Sequence, residues 1–312
     1  MKPTLSIIIV NWNTKKLLKQ CIESILRNDK RLDFSGRMLN KDEEEKITTE
    51  LIIVDNGSTD ESIQTIQNLK IKNQNDNLKF KIVQNKENLG FGRANNQGMK
   101  IAKGDYVLLL NSDTKVEEGA VSETLFWLSA HPEYDLVGCR LVNADKSVQP
   151  SVGVFPSLAS VFSMLFLDKA LRRKTTMVSP EKASAVDWVM GAFMMLRKEV
   201  FEKSGGFDEN IFMYFEEVEW CWRLKNLGFR VGFYPEAKVI HLGGGSLTNS
   251  PKERIFGIYK GLVYFYGKHK PKWQLKLIKL MLKTKAGISF LGGTIFNNHY
   301  LKETYGKAFD LV

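Results

Sequence analysis

Residues 104–114, GDYVLLLNSDT, constrain the fold of this chain more than any other stretch. An apolar run over residues 106–110 ends abruptly at Asn111, Ser112 and Asp113. Such a short run without alternation is typical of a strand that is buried on both faces, as in a mostly parallel sheet. Ligands of open α/β sheets bind beyond the carboxyl ends of the strands, so Asp113 lies where a carboxylate can meet a ligand or a metal. A simple Asx turn after a strand would fit the same letters.

Two earlier apolar runs, residues 5–10 and 51–54, end in the same way, at polar clusters that start with Asn11 and Asp55. Helical patterns alternate with these strands at residues 15–27, at a capping box over 58–61 that predicts a helix to residue 69, and at a stretch that ends near residue 103. This alternation indicates a parallel α/β sheet. Because parallel strands end at one edge, the three polar clusters are expected to form one pocket with at least two carboxylates.

The 312 residues have the composition of an ordinary globular protein, with 43% hydrophobic and 26% charged residues. The three cysteines are widely spaced and odd in number, which argues against a disulfide framework or a zinc site and favours a reducing, cytoplasmic compartment. No run approaches the roughly 18–20 apolar residues that span a bilayer. The polar, charge-rich residues 28–50 are interpreted as an insertion or mobile loop.

The segment GFGRAN, residues 90–95, nearly matches the dinucleotide-binding fingerprint G-x-G-x-x-G. Asn95 replaces the third glycine, and the segment follows a later strand at some distance instead of forming the first tight turn. A glycine-relaxed loop before a helix, with Arg93 near a phosphate, explains the segment better. An NAD-dependent dehydrogenase is therefore only a minor alternative.

Three acids, Glu216, Glu217 and Glu219, cluster near the predicted start of a helix. The helix macrodipole favours carboxylates there, so they could form a plain exposed helix start. In the functional alternative, one carboxylate faces the pocket as a general base. His241, which three glycines closely follow, is either a structural histidine or a partner of a metal or phosphate.

Taken together, these segments resemble the family-2 inverting glycosyltransferases of the GT-A fold, and within them the rhamnosyltransferase-like branch of bacterial surface-polysaccharide enzymes. The resemblance rests on the ordered set SIIIVNWN, VDNGSTD, ENLGFGRANNQG, YVLLLNSDT, DWVMGAFMMLR, GGFDE, FEEVEWCWR and HLGGGS. It implies an α/β GT-A fold whose mostly parallel central sheet is flanked by helices, with a C-terminal helical extension. The domain would cover residues 1–248, with a nucleotide-sugar half over 1–114 and an acceptor half over 115–248.

The resemblance also implies where the nucleotide-sugar donor binds. Asp55 would accept a hydrogen bond from the base, the segment 11–13 would hold base and ribose, and Arg93 would line the diphosphate side. The full set of predicted donor contacts is Asn11, Trp12, Asn13, Asp55, Asn56, Gly90, Arg93, Asn111 and Ser112.

The family's metal-binding Asp-x-Asp is represented here by residues 111–113, where Asn111 replaces the first acid. The resemblance therefore implies that Asp113 is the main protein ligand of a Mg²⁺ or Mn²⁺ ion, with His241 as a second contact. Glu217 stands at the position of the family's catalytic aspartate. Because the chain has two successive glutamates there, Glu216 remains an alternative.

On the acceptor side, the resemblance implies contacts by Trp188, Gly191 and Ala192, which belong to a strand-like run over residues 187–197. The expected activity is inverting transfer of a sugar from a nucleotide diphosphate, with dTDP-rhamnose as the expected donor, to a glycan or polyprenyl-linked glycan in bacterial surface polysaccharide synthesis. A non-catalytic nucleotide-sugar-binding protein is the main alternative, and such a protein would need no base.

The net charge of +10 lies almost entirely in the tail, because residues 249–312 hold 12 Lys or Arg and 3 Asp or Glu. On a helix, four of these lysines fall within about 60° of one another, and apolar residues occupy the remainder. These four are Lys272, Lys276, Lys279 and Lys283. The pattern favours peripheral contact of residues 252–285 with the inner face of the plasma membrane. A helix docked on the domain is the alternative, and no motif for nucleic acid accompanies the charge.

Overall fold

The computed structural model describes residues 4–34, 46–72, 80–167, 177–243 and 251–312. Within them the strands are β1 (Leu5–Asn11), β2 (Leu32–Asp33), β3 (Ile47–Asp55), β4 (Phe80–Gln84), β5 (Tyr106–Asn111), β6 (Thr114–Val116), β7 (Leu136–Val142), β8 (Val148–Gln149), β9 (Val152–Gly153), β10 (Met177–Val178), β11 (Ser184–Val186), β12 (Trp188–Val189), β13 (Phe193–Arg197) and β14 (Val231–His241). The helices are α1 (Lys15–Asn28), α2 (Ser62–Lys72), α3 (Phe91–Ile101), α4 (Ala120–Ala130), α5 (Leu158–Phe166), α6 (Lys198–Ser204), α7 (Glu216–Asn226), α8 (Pro251–His269), α9 (Lys272–Ile295) and α10 (His299–Asp310).

Four parallel strands in the order β4-β3-β1-β5 form the part of the sheet that carries the predicted pocket. Asn11 at the end of β1 lies opposite Asp55 on β3, and Val10 lies opposite Asn111 on β5. The strands are buried because helices cover both faces of the sheet, which is typical of parallel sheets. The three polar clusters therefore meet at one edge, as predicted.

Beyond β5 the sheet becomes mixed. Strand β13 runs antiparallel to both β5 and β7, β14 runs parallel to β7, and the short β6 pairs antiparallel with the end of β14. This last pairing sets His241 opposite Thr114. The mixed half of the sheet thus brings His241 to the end of β5, although His241 follows Asp113 by 128 residues in the chain.

Two apolar clusters hold the sheet between its helices. Ile7 and Ile9 of β1 belong to the cluster that contains Leu18 of α1, whereas Ile8 belongs to the cluster that contains Met99 of α3. This division follows from the two-residue period of a strand. Burying each such side chain stabilises the fold by about 1.5–3 kcal/mol, so the strand ends rest on a well-packed base.

Three local predictions are wrong. Helix α2 begins at Ser62, later than the capping box predicts, because the hydroxyl of Ser58 accepts hydrogen bonds from Asn13 and Asn11 instead. The loop prediction for residues 28–50 fails at both ends, where β2 and the first residues of β3 pair with each other. Residues 35–45 lie outside the described residues. The run 187–197 is also not one strand, since β12 pairs with β9 and β13 pairs with β5.

The C-terminal helices α8, α9 and α10 pack around a third apolar cluster that also takes in α5. Phe265 and Tyr266 of α8 are fully buried there, as are Ile278 and Leu282 of α9. Among the described residues, none of the helices combines the length and the apolar character needed to cross a bilayer. The predicted helical extension is thus present, and one face of it is anchored in the protein.

Candidate active site

A buried hydrogen-bond network joins the carboxyl ends of β1, β3 and β5. The Asn11 amide donates to Asp55 Oδ1 at 2.9 Å, and the Ser58 N–H donates to Asp55 Oδ2 at 3.0 Å. The Thr14 hydroxyl donates to Asn11 Oδ1 at 2.6 Å and shares a hydrogen bond of 2.9 Å with Ser112. These groups satisfy one another, as buried polar groups must. The network fixes the floor of the pocket.

The loops that follow β1 and β3 are also tied together. Asn13 has a left-handed φ of 53°, and its side-chain oxygen accepts from the Thr59 N–H at 2.7 Å. Trp12 and Asn13 are half-buried, whereas Asp55 has no exposed surface. Direct contact of Asp55 with a nucleotide base stays a prediction.

Asn56 organises the loop that leads to α3. Its amide group donates to Asn88 Oδ1 and the Gly90 carbonyl, and its oxygen accepts from Asn85 and from the Leu89 N–H. All four hydrogen bonds available to a side-chain amide are therefore made within the protein. Donor contact by Asn56 stays a prediction, and it would require one of these bonds to be given up.

Gly90 marks the start of α3, where only glycine fits. Its φ is 88°, and a Cβ at this position would lie 2.5 Å from the Phe212 carbonyl oxygen. In the first turn of α3, Arg93 Nε lies 3.2 Å from Glu209 Oε2, and 45% of the Arg93 side chain is exposed. A helix N-terminus with an accessible arginine favours anions, although Glu209 already pairs with this one.

Asp113 and His241, predicted as the metal site, lie together at the end of β5. His241 Nε2 is 3.3 Å from Asp113 Oδ1, and both side chains are nearly buried. The other ring nitrogen, Nδ1, lies 2.8 Å from Gln149 Oε1, while the Gln149 amide donates to Asn143. Because Gln149 presents an oxygen, Nδ1 carries the proton and donates it. The unprotonated nitrogen is then Nε2, which faces the Asp113 carboxylate.

The donor set fits a divalent ion of the Mg²⁺ or Mn²⁺ type. Carboxylate and imidazole groups are common ligands of such ions, and a second hydrogen bond like that from His241 to Gln149 usually orients a ligating histidine. Neighbouring ligands of a six-coordinate ion at about 2.2 Å lie about 3.1 Å apart, close to the Asp113–His241 separation. No three His, Cys, Asp or Glu side chains among the described residues form a ready-made metal site.

The turn between β12 and β13 connects the end of β5, just before Asp113, to the predicted base. The Asn111 N–H donates to the Ala192 carbonyl at 3.1 Å, and the Gly191 backbone forms a hydrogen bond with the Glu217 carboxyl. Trp188, also predicted on the acceptor side, packs in the core, and its indole N–H donates to the Val154 carbonyl at 3.0 Å. Its role in acceptor binding stays a prediction.

Glu216 and Glu217 lie next to each other at the start of α7, where Glu216 is buried and Glu217 is half-buried. Burial, followed by repulsion from Glu217, raises the pKa of Glu216 well above its ordinary value. Burial also raises the pKa of Glu217, but backbone hydrogen bonds from Gly191 and Phe215 favour its charged form. Within the described part of the chain, Oε2 of each residue has no hydrogen-bond partner. Glu217 is therefore the member of the pair that ionises first.

The two residues before this pair have unusual backbone conformations. Tyr214 and Phe215 have φ values of 65° and 86°, which are rare for large non-glycine residues. Two glycines of α8 allow the close contact that holds them. A Cβ at Gly257 would lie 2.9 Å from the Met213 carbonyl oxygen, and a Cβ at Gly261 would overlap Phe215 Cβ. The C-terminal extension thus supports the segment that carries Glu217.

Glu219, the third acid of the cluster, is structural. It is fully buried and receives hydrogen bonds from Arg223, from Lys268 at 2.8 Å and from His269 at 3.0 Å. Two of these partners belong to the tail, so this ion cluster fixes α8 to α7. The sequence reasoning missed this, as it missed Thr14, Ser58 and Gln149, because their partners are far away in the chain.

Comparison with solved structures identifies the fold class. A mannosyltransferase from Pyrobaculum calidifontis, in complex with GDP-Man and Mn²⁺, has a TM-score of 0.56 at 15% identity, covering 100% of this chain and 85% of that one. TarS of S. aureus, in complex with UDP-GlcNAc, gives 0.53 at 15% identity, covering 97% and 79%. At these identities the likeness establishes the fold alone, and this is the GT-A glycosyltransferase fold.

The family follows from the sequence. Residues 6–205 match the family described as "Glycosyl transferase family 2", and the chain belongs to this family. Among its relatives, the N-acetylglucosaminyl-diphospho-decaprenol L-rhamnosyltransferase of Mycobacterium tuberculosis is 26% identical over 238 residues, 73% of this chain and 78% of that protein. Rhamnosyltransferase WbbL of Escherichia coli K12 is 30% identical over 162 residues, 49% of this chain and 60% of that protein. The chain is thus a family-2 glycosyltransferase with rhamnosyltransferase relatives.

Proposed function

We propose that this glycosyltransferase moves a sugar, with rhamnose from dTDP-rhamnose as the expected donor, to a hydroxyl of a polyprenyl-linked glycan, with inversion. The observation that carries the proposal is the link between two groups across the Gly191–Ala192 turn. On one side of this turn the Ala192 carbonyl accepts from the N–H of Asn111, two residues before Asp113, and on the other the Gly191 backbone forms a hydrogen bond with the Glu217 carboxyl. The rhamnosyltransferase relatives, one of which is named for a diphospho-decaprenol acceptor, support the choice of substrates.

Glu217 acts as the general base in this proposal. It takes the proton of the acceptor hydroxyl, whose oxygen bonds to the anomeric carbon as the bond from that carbon to the diphosphate breaks. One displacement without a covalent intermediate inverts the configuration, through a transition state of oxocarbenium character. A raised pKa suits a base because it strengthens proton affinity. Glu216, kept neutral by burial and by its charged neighbour, lets Glu217 alone carry the charge.

Asp113 and His241 would hold the divalent ion on the donor side, and Arg93 with the N-terminus of α3 would face the diphosphate. When bound, the ion supplies positive charge that offsets the charge developing on the leaving diphosphate. Gln149 keeps His241 in the tautomer whose Nε2 can ligate. A protein that only bound nucleotide sugars would not need the acid pair.

The outer face of α9 supports membrane contact. Large apolar side chains are exposed there at spacings that place them within about 80° on the helix. This outer stripe consists of Trp273, Leu280, Ile288, Leu291 and Ile295. Lys272 and Lys276 border it in solvent. Lys279 donates to the Val312 carbonyl, and Lys283 lies over the Phe309 ring of α10. Exposed apolar residues beside cations fit the surface of an anionic bilayer, where a polyprenyl-linked acceptor would lie.

The base assignment is tested with Glu217→Gln, and Glu216→Gln serves as its matched partner. We expect Glu217→Gln to reduce sugar transfer by about 10²–10⁴-fold, while donor binding measured by calorimetry changes little. Glu216→Gln keeps the base and should retain more activity. The wild-type rate should fall with decreasing pH through a pKa above the ordinary range of a glutamate, because the base must be ionised. Wild-type turnover by Glu217→Gln would refute the assignment.

A further inference from the structure

A cavity of about 490 Å³ lies where α7, the start of α5 and the turn between α8 and α9 meet. Lys225 and Trp222 line it from α7, Ser157 from the N-cap of α5, and Lys270 from the turn, with Asp187 at one side. The donor-binding and metal-binding residues described above are not part of this cavity. It lies on the acceptor half of the protein and is built partly from the tail.

Lys270 is a half-buried cation for which the described residues provide no carboxylate partner. Its Nζ lies 3.6 Å from the centroid of the Trp222 ring and 5.7 Å from that of Phe265. Burial and repulsion from Lys225 lower the pKa of Lys270. An aromatic face offsets part of the cost of burying this charge, and an anion in the cavity would offset the rest.

The other groups leave the cavity with excess positive charge. Lys225 lies 3.3 Å from Asp187 Oδ1, but 61% of its side chain remains exposed. Asp187 Oδ2 already accepts from the Phe155 N–H at 2.9 Å. The lining of the cavity thus holds two lysines and one carboxylate, and that carboxylate is paired with Lys225. The N-terminus of α5, capped by Ser157, forms another wall and contributes the positive end of its dipole.

We infer that this cavity binds the phosphate group of a phosphate ester between Lys225 and Lys270. The ester is the lipid-diphosphate-linked acceptor, and this assignment rests on the proposed function. Trp222 lies five residues after Glu217 on α7, about 7.5 Å along the helix axis and about 140° around it, so the acceptor would pass around the side of this helix to place its hydroxyl at the base. A second cavity of about 510 Å³ shares Phe155, Asp187 and Lys225 with the first and is lined mainly by apolar residues. It suits the adjoining hydrocarbon.

The test measures binding of farnesyl phosphate, a short polyprenyl phosphate, to the full chain by calorimetry. Farnesol and inorganic phosphate serve as probes that lack the charge or the hydrocarbon. Lys270→Gln should weaken farnesyl phosphate binding at least tenfold, the loss expected for a charge-assisted contact. Lys270→Arg should restore most of the affinity, and Lys146→Gln, which removes an exposed charge elsewhere, should change nothing.

Equal affinity of the wild type and Lys270→Gln for farnesyl phosphate would overturn the inference, as would tighter binding of inorganic phosphate than of the ester. Binding to vesicles that contain phosphatidylglycerol is measured as a further comparison. If they bind with the same dependence on Lys270, a bulk lipid headgroup fills the cavity and the acceptor assignment is wrong. Donor hydrolysis, measured on the same variants, separates the two proposals: its presence without farnesyl phosphate binding would leave the proposed function standing and remove the cavity's role.

Discussion

Replacing Gly261 of α8 by alanine should damage catalysis far more than it damages the fold. A Cβ at this position would overlap Phe215 Cβ, lie 2.9 Å from Phe215 Cγ and lie 3.2 Å from the Tyr214 carbonyl oxygen. An ordinary carbon–carbon contact is about 3.5–4.0 Å, so relieving the overlap needs a shift of roughly 1 Å. These neighbours are backbone and the root of a side chain, which cannot rotate away. The residues immediately before Glu216 and Glu217 must therefore move.

The magnitudes follow from this geometry. A displacement of about 1 Å in a catalytic group can cost about 10²-fold in rate, and the oxygen of a general base must lie within about 2.6–3.2 Å of the hydroxyl oxygen whose proton it takes. We therefore expect kcat to fall by about 10²-fold. Overpacking costs about 1–3 kcal/mol, but alanine also gains about 1 kcal/mol over glycine in a helix. The net loss in the free energy of unfolding should be only about 0–2 kcal/mol.

Gly267→Ala, in the same helix, is the matched control. A Cβ there would meet only Leu275, at 4.0 Å, so helix propensity should leave this variant as stable as the wild type or slightly more stable. Steady-state transfer assays and thermal unfolding of both variants decide the matter. Wild-type kcat in a folded Gly261→Ala protein would refute the idea that α8 sets the position of the base.

Two further predictions concern the metal pair and the membrane. Asp113→Ala should lower transfer by about 10²–10³-fold and abolish Mn²⁺ binding measured by electron paramagnetic resonance, whereas Asn111→Ala should cost less than tenfold; equal losses would contradict the assignment of Asp113 as the main ligand. Replacing Leu280 and Ile288 of the outer stripe by serine should reduce flotation with anionic vesicles. The control variant Phe126→Ser changes an exposed apolar residue of α4, outside the stripe, and should float like the wild type. Concentration-dependent dimerisation of the wild type, lost in the double variant, would show that a second copy covers this stripe instead.

The sheet and its polar edge could be predicted from the sequence because both depend on local patterns. An apolar run that ends at Asn11, Asp55 or Asn111 reports burial and its limit directly, and parallel pairing then brings the ends together. The capping box failed for a physical reason. Ser58 has the composition of a cap, but its hydroxyl is used by Asn13, a partner 45 residues away. Local propensity competes with such contacts and cannot foresee them.

The candidate site also contains some residues that the sequence could indicate and others that only the structure shows. Asp113 and His241 were placed together through the resemblance, and the pairing of β6 with β14 accounts for their contact. The preference for Glu217 over Glu216 came from the resemblance, and the backbone donors of Gly191 and Phe215, which no spacing reveals, support it. Gln149 could not be predicted either, because only its position beside His241 in the structure indicates its role.

The structure changes the interpretation of the C-terminal tail more than that of the other segments. Its lysine pattern favoured membrane contact, with a helix docked on the domain as the alternative. In the structure Lys268 and His269 bind Glu219, and Gly257 and Gly261 lie against the backbone before the base. Removing residues 251–312 would therefore remove support for catalysis, one wall of the cationic cavity and the outer stripe at once. Loss of activity after such a truncation says nothing about membranes. Substitutions confined to the outer stripe, whose side chains are exposed, separate attachment to a bilayer from the positioning of Glu217.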